Sequence, residues 1–285
     1  MLRTTFFIYL SFSCWVFFNN PTFGQKASPT AKEVVFKMIK SIDDLERLKY
    51  SLKIVERGKK GYNHYESSVK LSRNPRKIYL YIKGIELLWV SGWNNNKAYV
   101  KPNFFPYVNL SLDPLGFLMR QDQHHTLNEM GVDYFGGLIE YMALKHGNQF
   151  DNYFKLEGEE RINNRPCYKI IIDNKDFAYE TYTVGDNESI TSIARKLHIS
   201  EYMILEVNPK FKDYFDILKK GQTIKVPNAY AKYVTLYIDQ LYFLPISIKI
   251  LDDKGLYEQY DYFFLQVNPK IEDAEFTKQY KDYKF

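Results

Sequence analysis

Two adjacent histidines, His124 and His125, are the residues whose types most readily suggest chemistry. Imidazole ligates metals and titrates near neutral pH. Neighbouring side chains in a strand or loop point apart. The pair is read as having no carboxylate partner at helix spacing, so both are expected to be loop histidines rather than a metal site. Glu157, Glu159 and Glu160 cluster on one expected strand and read as exposed strand charges. Cys167 stands in the apolar run CYKIII and reads as a buried structural thiol, not a nucleophile. No nucleophile elbow, phosphate loop or HExxH helix is present. No catalytic residue, metal or cofactor is therefore assigned, and the expected chemistry is non-covalent.

Between Tyr182 and Pro227 the pattern changes. Residues 182–184 read as a short strand. Gly185, Asp186, Asn187, Glu188 and Ser189 turn into a helix, with Asp186 or Asn187 as its cap. Ile190, Ile193, Ala194 and Leu197 recur at helical spacing. Residues 198–200 start a second helix, whose buried face is Ile204, Leu205 and Val207 and whose end is Asn208-Pro209. Leu218, Gly221-Gln222 and residues 224–227 make a turn and a second strand. The result is a β-α-α-β unit with a very small core.

This segment resembles the LysM family. The matching residues are Tyr182, Val184, Gly185, Asp186, Ile193, Ala194, Leu205, Asn208, Pro209, Leu218, Gly221, Gln222, Ile224 and Pro227. The spacing before Gly185 is shorter than the family's, Ser189-Ile190 replaces its usual Thr-Leu, and residues 210–216 form a longer segment. The resemblance implies a shallow groove for an N-acetylglucosamine-containing glycan between two loops. Carried over, one wall is Gly185, Asp186, Asn187, Glu188, Ser189 and Ile190. The other is Val207, Asn208, Pro209, Lys210 and Phe211. Backbone groups at loop ends would pair with acetamido groups. Ile190 and Phe211 would lie against sugar faces. Asn208 is either a polar contact or a helix terminator that satisfies its own backbone. One such module binds weakly, and no second copy is present to add avidity.

The rest of the chain must position this unit. Residues 31–48 read as a helix, with Val34, Val35, Met38, Ile39, Ile42, Leu45 and Leu48 at three- and four-residue spacing. Strands are expected at 50–56, 65–72, 77–83, 86–92 and 98–101, with a hairpin turn at Asn94-Asn95-Asn96. A short helix at 115–120 and a longer one at 126–146 follow, the latter weakened by Gly131, Gly136 and Gly137. Strands resume at 153–161 and 167–173, and after the LysM-like segment at 233–239, 246–251 and 256–267. This order predicts an α+β chain with a large antiparallel sheet. Because strands flank the LysM-like segment, it is expected at a hairpin tip, residues 181–228, within a discontinuous domain of residues 26–180 and 229–285.

That host resembles the LolA-like superfamily of periplasmic lipoprotein carriers and, within it, a domain of unknown function from secreted bacterial proteins. The resemblance rests on Leu244-Pro245, Asp253-Lys254-Gly255, and the closing run with Asn268-Pro269, Ile271, Asp273 and Phe276. It implies a large, curved, half-open antiparallel sheet (a half-barrel) closed by helices, whose concave side holds acyl chains in the carriers. The sheet pattern adds a second feature. Ile78, Leu80 and Ile82 alternate with Tyr79 and Tyr81, and Val234, Leu236 and Ile238 with Tyr233 and Tyr237. In residues 260–267, Tyr260, Tyr262 and Phe264 oppose Phe263, Leu265 and Val267. A half-solvated sheet alternates apolar with charged residues. An aromatic second face either packs on another layer, lines a tyrosine-rimmed concavity, or is simply exposed.

Composition agrees with a β-rich globular chain: 25 of the 285 residues are tyrosine. The net charge, 39 − 34 = +5, is mild and interspersed, so no nucleic-acid partner is expected. Residues 1–25 have the layout of a secretory signal: Arg3, then an apolar run from Phe6 to Phe18, then small residues before Gln25. The run is short for a membrane span. Cleavage near Gln25 is expected, an uncleaved anchor being the alternative. Cys14 lies inside the run and does not read as a lipid-attachment site. Cleavage leaves Cys167 alone, without a disulfide. These readings describe an exported, non-enzymatic protein of the periplasm or cell envelope that binds peptidoglycan. The alternatives are a lipid or lipoprotein carrier localised by the module, and a wall-modifying enzyme.

Overall fold

The computed structural model describes residues 28–105, 107–121, 123–211, 213–214 and 218–285. The expected signal segment, Cys14 and the cleavage near Gln25 lie outside the described residues.

Helix α1 (Ala31–Asp43) starts at a capping box: Thr30 Oγ1 accepts from Glu33 N–H, and Glu33 returns a carboxylate to Thr30 N–H. Its apolar stripe buries Val34, Val35, Met38, Ile39 and Ile42. The helix ends at Asp43 rather than continuing to residue 48, because Leu48 is already in the sheet, opposite Leu71 and Val267. Strands β1 (Arg47–Gly58) and β2 (Gly61–Ser72) form a long hairpin, and Gly61 supplies the positive φ (+125°) at its turn. Strands β3 (Lys77–Ile82), β4 (Ile85–Val90), β5 (Ala98–Lys101) and the short β6 (Leu110–Leu112) extend the meander.

The helical stretch expected over 126–146 is broken. A single 3₁₀ turn covers Leu127–Glu129, and Gly131 takes a φ of +115° before the true helix begins. Short α2 (Phe117–Arg120) precedes that break, and α3 (Asp133–His146) and short α4 (Phe150–Tyr153) follow it. Gly136 has a steric purpose: a Cβ there would stand 2.8 Å from Ile42 Cδ1, so α1 and α3 cross where no side chain intervenes. Strands β7 (Phe154–Ile162) and β8 (Arg165–Asp173) form the next hairpin. Then come β9 (Tyr179–Thr183), α5 (Ile190–Leu197), α6 (Glu201–Val207) and β10 (Thr223–Pro227). The chain closes with β11 (Tyr233–Asp239), β12 (Pro245–Asp252) and β13 (Gly255–Val267).

The architecture is α+β. Eleven antiparallel strands form one open sheet in the order β6-β5-β4-β3-β2-β1-β13-β12-β11-β8-β7. Pairing of β1 with β13 joins its two halves. Strands β9 and β10 form a separate two-stranded sheet. Its chain leaves the large sheet at the end of β8 and returns at β11, and these two are direct neighbours, Tyr233 lying opposite Asp173.

The two faces of the sheet are covered differently. The inner face, with Leu52, Ile78, Leu80, Leu87 and Tyr262, belongs to the main core shared with α1 and α3. The outer face of β3 and β4 carries Tyr79, Leu88 and Val90, and the C-terminal segment covers it with Ile271 and Phe276. Tyr79 stacks on Tyr283 at 3.8 Å. Tyr79 therefore packs on a layer of its own and lines no concavity, while Tyr81, the other tyrosine of β3, is exposed. Of the aromatic residues read on the last strand, Tyr260 and Tyr262 turn inward and are buried, whereas Phe264 sits at a bulge with φ +52° and is 84% exposed.

Candidate functional site

The inner face lines a half-open cavity of about 290 Å³. Strands β1, β3, β4 and β5 contribute Leu52, Ile54, Leu80, Ile82, Leu87 and Val100 to its wall. Leu118, Met119, Leu127 and Met130 close it from the segment between β6 and α3. Period-two alternation puts these aliphatic residues on one side of their strands. Polar residues also line it: Glu56, Gln121, Gln123, His125, Thr126, Glu129 and Tyr260. The wall is thus aliphatic with inward tyrosines.

Beside the pocket lies a buried polar network. His124 and His125 are not loop histidines facing water: both rings reach Glu258 Oε2, at 2.9 Å from His124 Nδ1 and 3.2 Å from His125 Nε2. Glu258 has no exposed surface. Glu129 stands four residues after His125, at helix spacing, with an oxygen 3.6 Å from Nδ1. Tyr230 O–H donates to Glu258 Oε1 at 2.7 Å, and Tyr260 O–H donates to Glu56 Oε1 at 2.7 Å. Burial opposes charge on His125, but Glu258 and Glu129 outweigh it and push its pKa up to about 10. Burial likewise opposes charge on Glu258, and the two histidines outweigh it, holding that carboxyl below the usual range. Burial, then Glu258, raises the pKa of Tyr230, Tyr257 and Tyr260, so these phenols stay neutral hydrogen-bond donors. The Glu129 signal was present in the sequence. The partners Glu56 and Glu258 were not readable, because only the β1–β13 register brings their strands together.

The network continues into the β9–β10 unit. The His124 ring lies 4.2 Å from that of Tyr202 on α6 and 4.4 Å from that of Tyr257 on β13. The hydroxyls of Ser200 and Tyr257 hydrogen-bond at 2.5 Å. Arg57 pairs with Glu206 and Asp252, and Lys254 also reaches Glu206. Arg120 contacts Glu201 at 2.6 Å. A second cavity, about 240 Å³, lies along this seam between α3 and the end of α5, where Tyr141 stacks on His198 at 3.8 Å.

The loops expected to bind glycan are ordered by their own hydrogen bonds. Ser189, rather than Asp186 or Asn187, caps α5 through a capping box with Ser192. Glu188 accepts from Gly185 N–H at 2.7 Å and from Tyr182 O–H at 2.8 Å, and pairs with Lys196. Asp186 pairs with Lys220 across exposed surface, and Asn187 is exposed with φ +55°. Ile190, the first residue of α5, is fully buried, so its side chain does not lie against a sugar. Asn208 is buried as well. Its Nδ2 donates to the carbonyls of Ile204 and Lys225, and its Oδ1 accepts from Lys225 N–H. Of its two readings, the backbone-satisfying one holds. Pro209 and Lys210 are exposed, Val207 and Phe211 are half-buried, and Lys210 Nζ lies 5.0 Å above the Phe211 ring.

Residues 182–227 match the family model for the LysM domain, the same limits drawn from the residue pattern. No curated protein matches the chain. Among solved structures the chain is similar to a LolA superfamily protein from Nitrosomonas europaea, at 12% identity and TM-score 0.33, over 89% of this chain and 100% of that one. It is similar to the Mycobacterium tuberculosis lipoprotein LppX, at 11% identity and TM-score 0.40, over 85% and 97%. A DUF1329 family protein from Desulfovibrio piger is similar at 10% identity and TM-score 0.32, over 88% and 98%.

Proposed function

We propose that this chain is an exported, non-enzymatic protein of the cell envelope that binds N-acetylglucosamine-containing peptidoglycan through residues 181–228. The remaining residues, 26–180 and 229–285, act as one host domain that carries the module. The supporting observation is the LysM match at residues 182–227. Within it, Asp186, Asn187, Pro209 and Lys210 are the exposed side chains on the two candidate walls, with Phe211 half-buried beside them. The backbone of Gly185 to Ser189 and the ring of Phe211 are the groups suited to acetamido and sugar-face contacts. A single module implies weak binding. The test is sedimentation of the full chain with purified peptidoglycan, with soluble chitin oligosaccharide as competitor. Binding lost to the competitor, and weakened by a combined Asn187→Ala/Lys210→Ala/Phe211→Ala variant, supports the reading. Sedimentation indifferent to both rules it out.

The cavity favours a second role for the same protein, that of a lipid or lipoprotein carrier localised by the module. Its largely aliphatic wall with a few polar groups suits an apolar ligand with a polar head, and its volume, about 290 Å³, is at the lower end of ligand sites, about 300–1,000 Å³. Native mass spectrometry of protein extracted from envelopes should then show a co-purifying lipid. A ligand-free mass under conditions that preserve known lipid complexes would exclude this role. Wall-modifying activity has no observation in its favour.

A further inference from the structure

We propose that Glu56, His124 and Glu258, with His125 beside them, form a buried site for a divalent transition-metal ion of zinc's class. His124 Nε2 lies 2.8 Å from the carbonyl oxygen of Arg57. A carbonyl only accepts, so Nε2 carries the hydrogen. Nδ1 of the same ring lies 2.9 Å from Glu258 Oε2. Two lone pairs approach that closely only with a cation between them, either a second proton on the ring or a metal ion.

The surroundings favour the metal. Tyr260 and Tyr230 each hold one oxygen of Glu56 and Glu258. Glu258 Oε2 faces the His124 ring and also takes Tyr260 O–H at 3.2 Å, and Glu56 Oε2 accepts from the His124 backbone N–H at 3.4 Å. One ligating atom from each of the three residues lies within 4.8 Å of the others, and all three residues are buried. A histidine whose second N–H is spent on a carbonyl, beside carboxylates held by O–H donors, is the outer shell that orients metal ligands. His125 Nε2, 3.2 Å from Glu258 Oε2, supports that carboxylate from outside the three-residue group. With metal–ligand bonds of about 2.0–2.1 Å, tetrahedral donors stand about 3.3 Å apart, so small ring movements open the cluster to an ion. Imidazole and carboxylate donors together suit zinc. Because His124 packs on Tyr202 of α6 and on Tyr257, the ion would pin the LysM unit to the large sheet.

The test uses the untagged full chain, stripped with a chelator, given Zn²⁺ and passed through gel filtration. One zinc per chain should be retained, and X-ray absorption at the zinc edge should show both imidazole and carboxylate ligands. Tyr230→Phe, which removes only a hydroxyl, should weaken zinc binding by about 10–100-fold, as loss of an outer-shell partner does. Glu258→Gln should abolish it. The proposal is overturned if the unmutated chain retains no zinc, if its absorption edge shows no imidazole ligand, or if Tyr230→Phe and Glu258→Gln hold zinc as tightly as the parent. Should Glu258→Gln fail to fold, the absorption edge of the parent chain and the Tyr230→Phe affinity decide.

Discussion

Arg120 Nη1 lies 2.6 Å from Glu201 Oε2, and the two side chains are only 2% and 9% exposed. One partner belongs to α2 beside the large sheet, the other to the first turn of α6 in the LysM-matching segment. The Arg120 guanidinium also lies 3.9 Å from the centre of the Tyr214 ring, whose O–H donates to the Gln123 carbonyl. The module is therefore held by a dry, charged contact, and its orientation is fixed by more than its two chain crossings.

Removing one member of that pair leaves the other charge buried. Arg120→Met should destabilise the protein by about 3–5 kcal/mol, and pairing it with Glu201→Leu should recover much of the loss, since an apolar pair of similar volume is often neutral. Urea unfolding of the three variants measures this. Additive losses in the double variant would show that the two side chains are not a coupled pair.

The glycines of α3 make opposite predictions. Gly136→Ala puts a Cβ 2.8 Å from Ile42 Cδ1 and should cost about 1–3 kcal/mol as overpacking. Gly137→Ala meets nothing within 4 Å and should stabilise by about 0.5–1 kcal/mol, the helix-propensity difference. Thermal melts of both variants check the contrast. If both shift the midpoint the same way, the α1–α3 crossing is not set by Gly136.

The LysM segment was legible because its cap, turn and core residues stand at fixed spacing within one short stretch, and local chemistry decides their placement. The large antiparallel sheet was legible from alternation alone. What covers its faces was not. Ile78 and Tyr79 alternate cleanly, but only the fold shows that the C-terminal segment takes the tyrosine side, stacking Tyr283 on Tyr79. The helix break at Gly131 depends on a tertiary contact, Tyr262 O–H donating to the Gly131 carbonyl, that propensity does not contain. Ile190 was misplaced for a similar reason: its position at the loop end suggested exposure, whereas the first turn of α5 turns it inward.

Asn208 ties the end of α6 to β10 with three hydrogen bonds in a buried position. Asn208→Ala strands the Lys225 N–H and two carbonyls, and a buried unsatisfied group costs about 1–3 kcal/mol. The variant should unfold at lower urea concentration. It should also lose glycan affinity, because Pro209 and Lys210 are placed by this clasp. Unchanged stability would mean that water replaces the amide and the wall stands without it.

Glu188 sets a pH limit on the first wall. The Lys196 ion pair and the Gly185 N–H lower its pKa from 4.5 to about 2. A carboxyl depressed in the folded state binds its proton more weakly than in the unfolded chain, so its stabilising contribution is present above pH 4.5 and is lost as pH falls from 4.5 toward 2. Protonation removes the acceptor that holds Gly185 N–H and Tyr182 O–H. Glycan binding should therefore be steady from neutral pH through 4.5 and weaken only as pH approaches about 2, where the depressed group titrates in the folded protein. Lys196→Met should move the Glu188 midpoint upward and make the loss begin at higher pH. Carbon-detected NMR of the Glu188 carboxyl, with sedimentation assays across the same range, measures both. A Glu188 midpoint left at 4.5 would remove the carboxylate clasp from any account of the loop.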